Sequence, residues 1–182
     1  MQEDFIKEAD ISVLVSRVSH SIPKIDSFIS DESMFEISAK ALQLARAFTQ
    51  RTKLLILEDP KKLISLHPEN DSTVCEAIPA GNRALLCNAI AVSIERIAAI
   101  VVKPVAHRIS YLSYYYHKAR ELASAEGAIM IWDNVENILD SSNEYFRLST
   151  IVQPDMLCFY MGEKNPLAYL GTMKAILASR KV

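Results

Sequence analysis

The stretch Gly127–Val135, GAIMIWDNV, governs how the rest of the chain is read. Its five residues Ala128 to Trp132 are apolar without interruption, as in a strand covered on both faces rather than one with a wet side. A carboxylate, Asp133, follows where that strand emerges. An ionised group beside a core requires a partner or a task, because burying it unpaired is costly.

The same pattern recurs on either side. IAAIVVKPV, residues 97–105, is a second apolar run of strand length, closed by Lys103 and Pro104. Between the two, Tyr111 to Glu126 reads as a helix. MLCFYM, 156–161, follows Pro154 and Asp155 as a third strand, and KLLILED, beginning at Lys53, supplies a fourth. A helix from about Ser33 to Thr49 sets Ile37, Ala41, Leu44, Ala45 and Phe48 on one face. Helices are also expected over residues 4–20, ended by Pro23, and from about Thr172 to Arg180. SFIS, 27–30, and TVCEAI, 73–78, are shorter strand candidates, and the span Pro60 to Asn82 is otherwise irregular.

Doubly apolar strands separated by helices predict an α/β fold, a mostly parallel sheet with helices on both faces. Sites in such sheets lie at the carboxyl ends of the strands, the rim to which Lys103, Asp133 and Met161 are assigned. The 182 residues suit one domain, with no internal repeat.

Half of the residues are apolar and the net charge is only −2, so bulk charge favours neither disorder nor a nucleic-acid partner. Cys75, Cys87 and Cys158 are odd in number and lack CxxC spacing, as expected of reduced thiols in a cytoplasmic protein. No apolar run reaches membrane-helix length, and MQEDFIKEAD lacks the build of a signal peptide. With four glycines there is no Gly-rich phosphate loop. The four histidines are scattered, so no metal site is expected, and no GxSxG elbow marks a nucleophilic serine. YLSYYYHKAR, 111–120, sets aromatics beside basic residues, which suits base stacking or, more simply, a helix packing its aromatic side on the sheet.

From about His20 onward the chain resembles the large domain of class III aminotransferases, pyridoxal-phosphate enzymes of fold type I, and among them the glutamate-1-semialdehyde aminomutases. SIPKIDSFIS with AKALQLARAFTQRTKLLILED, IAAIVVKPVA, AEGAIMIWDNV, and QPDMLCFYMG with NPLAYLG carry the resemblance, in the family's order. It implies that Asp133 corresponds to the aspartate that pairs with the pyridine nitrogen of the cofactor, and Val135 to the apolar residue against its ring.

Other positions depart from the family. Asp31, Glu32 and Ser33 stand where a Ser-Gly-Thr phosphate turn is expected, with Ser33 its remnant, and Lys61 stands where an aromatic would stack. Met161 falls at the position of the Schiff-base lysine, leaving Lys164 as the alternative amine. The family's glutamate before Pro-Val is Lys103, a cation facing Asp133, and DEV has become DNV. The family's small C-terminal domain has no counterpart. The resemblance therefore implies a catalytically degenerate module with no cofactor expected, working as a homodimer or paired with an intact aminotransferase. The alternative is an active pyridoxal-phosphate aminotransferase or aminomutase using Lys164, completed by a partner chain.

Overall fold

The computed structural model of the chain describes residues 5–59, 75–93, 97–103, 109–135, 143–162 and 165–179. Its frame is a seven-stranded sheet in the order β1-β7-β6-β5-β4-β2-β3. The strands are β1 (Ser27–Asp31), β2 (Lys53–Glu58), β3 (Cys75–Pro79), β4 (Ile97–Val102), β5 (Ile129–Val135), β6 (Met156–Gly162) and β7 (Asn165–Thr172). The helices are α1 (Phe5–Ser21), α2 (Met34–Thr49), α3 (Arg83–Ala91), α4 (Ile109–Glu126), α5 (Glu144–Val152) and the short α6 (Lys174–Ala178).

Strands β3, β2, β4, β5 and β6 pair in parallel, and β7 pairs antiparallel with both β6 and β1. The fold is thus the mostly parallel α/β sheet that the doubly apolar strands predict. Strand β7 and helix α3 were not legible as elements. Thr172, expected to open the last helix, instead ends β7, and α6 begins two residues later.

Two cores sandwich the sheet. On one face α1, α3, α4 and α5 pack on Leu55, Ile100, Met130, Trp132 and Phe159. On the other, α2 and α6 pack on Ile56, Val101, Ile131, Met156 and Leu170. Helix α2 carries the chain from the β1 edge to β2 and touches β7, β6, β5 and β4 on the way. Its buried stripe is Met34, Ile37, Ala41, Leu44 and Ala45. Phe48, expected in that stripe, is 42% exposed, because the helix ends at Thr49 just past the sheet's cover.

The aromatic run of α4 packs on the sheet: Tyr115 and Tyr116 are buried, and Tyr116 meets Trp132 edge-on at 5.2 Å. At the amino end of the parallel strands, Asp155 ties four segments together. Its backbone N–H donates to the Met130 carbonyl (2.9 Å), and its carboxylate accepts from the Met130 N–H (2.8 Å). Lys24, after α1, donates to the same carboxylate at 2.8 Å, and Arg120 of α4 donates to its second oxygen. Removing one member of a buried charge cluster strands the others. Asp155→Ala is expected to destabilise the chain by about 3 kcal/mol, read as a lowered urea midpoint at unchanged slope.

Candidate functional site

The site is built where β5 and β6 lose their regular register. Trp132 pairs with Leu157 and Val135 with Phe159, so Asp133 and Asn134 together stand opposite the single residue Cys158. This is a β-bulge, a device that re-aims side chains near sites. Strand β5 continues through it to Val135, so Asp133 lies inside the strand rather than just beyond its end. Side chains Ile129 and Ile131 belong to the α2 face, and alternation puts Asp133 there too. The bulge interrupts that alternation, and Val135 is buried in the opposite core with Trp132 and Phe159.

Asp133 is 7% exposed. Its Oδ1 accepts a hydrogen bond of 2.6 Å from the Ser38 hydroxyl on α2. The Cys158 thiol lies against the same carboxylate: burial first, then the negative charge of Asp133 and a hydrogen bond to it, push the thiol pKa well above its ordinary value. A helix hydroxyl and a strand thiol thus converge on the one carboxylate of β5. Lys103 follows β4, where the pairing Val102↔Trp132 brings it alongside Asp133. It is half-buried, and its backbone N–H donates to the Leu57 carbonyl at 2.9 Å.

The start of α2 forms the second part of the site. Ser33 is its N-cap, and the Ser33 hydroxyl accepts from the Glu36 N–H at 3.2 Å. The next free amide of the helix end, Met34 N–H, donates to the Tyr160 hydroxyl at 3.1 Å, which joins α2 to β6. Asp31, the last residue of β1, accepts from Lys40 one turn further into the helix and from the Glu32 N–H at 2.7 Å. The Lys40 hydrogen bond holds the Asp31 carboxyl below the usual carboxylate range.

Of the residues singled out from sequence, Ser33 and Asp133 therefore lie by the first turns of α2, and Lys103 lies at the carboxyl end of β4. Val135 lies in the opposite core. Met161 belongs to β6. Lys164 and Lys61 lie outside the described residues. Sequence reasoning passed over Ser38, Tyr160 and Cys158. Ser38 had a signal: it falls in the stripe Met34, Ala41, Ala45, a hydroxyl in an otherwise apolar row facing the sheet. Among the described residues no group of three His, Cys, Asp or Glu side chains is placed to hold a metal ion, and no helix is long and apolar enough to cross a membrane.

Ser38→Ala leaves the Asp133 oxygen without its donor and is expected to cost about 1.5 to 3 kcal/mol in chemical denaturation. Cys158 is expected to react with a thiol reagent only as the chain unfolds, after the half-buried Cys75 and Cys87, with per-residue labelling by mass spectrometry as the measurement.

No family model matches the chain. It is 25% identical to the glutamate-1-semialdehyde 2,1-aminomutase of Opitutus terrae, over 83% of its own length and 40% of that protein's. Its fold matches an acetylornithine aminotransferase from Elizabethkingia anophelis, with TM-score 0.72, 18% identity, and coverage of 95% of this chain and 46% of that one. A glutamate-1-semialdehyde aminomutase from Pseudomonas aeruginosa, solved in complex with PMP, matches with TM-score 0.68 and 13% identity over 94% of this chain and 42% of that one. The chain spans less than half the length of each. In sequence it is similar to glutamate-1-semialdehyde aminomutases, and its sheet has the fold of the fold type I large domain, the resemblance expected from IAAIVVKPVA and AEGAIMIWDNV.

Proposed function

We propose that this chain is a catalytically degenerate, aminomutase-like module that serves in binding or regulation and no longer holds pyridoxal phosphate. The observation that carries this reading is the bond from Ser38 Oγ to Asp133 Oδ1. The carboxylate that would answer the cofactor's ring nitrogen is engaged by α2 itself. The phosphate end supports the same reading. The Met34 and Glu36 amides of the helix terminus are committed to Tyr160 and Ser33, and the residues before it are Asp31 and Glu32. Asp31 is held by Lys40, and the exposed Glu32 carboxylate beside it repels a phosphate dianion at the helix end that would otherwise attract it. These contacts support the reading that the site no longer suits the cofactor.

The β4–β5 register sets Lys103 beside Asp133, and a counter-ion role for Lys103 there is part of this proposal. If so, Lys103→Ala lowers stability, and unchanged stability counts against that pairing. The role left to such a module is contact with another protein, a second copy or an intact aminotransferase, in a cytoplasmic setting.

The test is an absorption spectrum of the purified chain before and after addition of pyridoxal phosphate, followed by borohydride trapping and peptide mapping. The expected result is no aldimine band and no adduct. A trapped adduct on Lys164 overturns the proposal in favour of an active aminotransferase or aminomutase with Asp133 on the pyridinium.

A further inference from the structure

The aromatic run of α4 fills the core between that helix and β5, and filling alone does not call for tyrosine. Phenylalanine would occupy the same space without burying a hydroxyl. Trp132, the largest of the fully buried side chains, meets Tyr116 edge-on at 5.2 Å between ring centroids, and Tyr116 meets Tyr115 at 5.7 Å. Trp132 Nε1, Tyr116 Oη and Tyr115 Oη are all buried, and none has a hydrogen-bond partner among the described residues. Buried polar atoms are ordinarily paired, so three orphans on three touching rings call for one explanation. Burial, and then the neighbouring Tyr115 and Tyr145, push the Tyr116 phenol well above its ordinary pKa. Burial does the same to Tyr115, with the Cys87 thiol adding to it and the Gly81 backbone amide opposing it. Both phenols therefore keep their protons and can donate as well as accept.

We propose that a single water molecule is bound between α4 and β5, accepting from the Trp132 indole N–H and hydrogen-bonded to the Tyr116 and Tyr115 hydroxyls. The donors and acceptors balance. An indole N–H can only donate, so it needs an acceptor, and a water oxygen supplies one. The same water donates to one phenol oxygen and accepts from the other hydroxyl, which gives it three partners, the usual number for a buried water. The protein groups do not supply this among themselves. The Tyr116 and Trp132 rings meet edge to face, a geometry set by their quadrupoles, and neither polar atom takes the other as a partner. Such a water makes the α4–β5 packing directional, because a ring that turns or slides loses its bond to it. Trp132 belongs to the core on the α4 side of the sheet, whereas Ser38 bonds Asp133 on the α2 side. This inference is therefore independent of whether the chain binds pyridoxal phosphate.

Trp132 is the one tryptophan of the chain, so its indole N–H gives a single proton resonance. NOESY and ROESY spectra of the full chain are expected to show a cross-peak from that N–H to the water frequency, with the sign of a dipolar contact rather than of exchange. Tyr115→Phe and Tyr116→Phe each remove one oxygen and leave the ring. Each is expected to weaken the folding equilibrium by roughly fivefold in urea titrations, the worth of one hydrogen bond. The double variant is expected to lose less than the product of the two, because both hydroxyls share one water. Dry hydroxyls predict the opposite sign, since removing a buried unpaired group leaves stability unchanged or raises it. An indole N–H without a dipolar contact to water, Phe variants as stable as the unaltered chain or more so, or a double variant that loses the full product overturns the proposal.

Discussion

Burial of the sheet on both faces is the constraint on which the rest of this structure depends. Once helices cover both sides, the central strands have no solvent-facing row in which to place polar side chains, and every charge inside must be answered locally. Two carboxylates show the two solutions. Asp155, at the amino rim, is answered by the Lys24 and Arg120 cations and by the Met130 amide, and so ties β5 and β6 to the ends of α1 and α4. Asp133, toward the carboxyl rim, is answered by a hydroxyl and a thiol, both from elements of the α2 face.

The second solution gives α2 a double role. Its apolar stripe is the cover of one core, and Ser33, Met34, Ser38 and Lys40 place its polar contacts along the rim at which sheets of this kind hold ligands. One helix therefore seals the sheet and engages the polar groups at its carboxyl rim. Competing for Asp133 means competing with a hydrogen bond inside the folded chain, and displacing it disturbs packing that spans β4 to β7.

The central strands were legible because a buried parallel strand has an unmistakable composition, as in ILIL-type runs such as KLLILED and IAAIVV. Strand β7 was not, since NPLAYLGT begins with Asn-Pro and includes Gly171, residues that argue against a strand when read alone. Its place is fixed by partners on both sides, Phe28 and Leu157 opposite Gly171, and a Cβ at that glycine would come within 2.7 Å of Ile25. Helix α3 escaped notice because its outer face lacks the polar half of an amphipathic pattern. Asp133 stood out as a charge after an apolar run. The bulge that aims it did not, because register between strands is not a property of either strand alone.

The sheet order also bears on how the chain is made. Strand β1 has β7 as its hydrogen-bonded partner in the sheet, and Ser27 pairs with Thr172. During synthesis, β1 and α2 leave the ribosome long before the strands that receive them, and α2 must wait for β6 and β7 to cover its apolar stripe. Topology of this sort folds slowly, and it exposes an open strand edge and a greasy helix for the interval. The closing strand thus arrives last, and proteostasis during that interval falls to whatever shields α2 in the nascent chain.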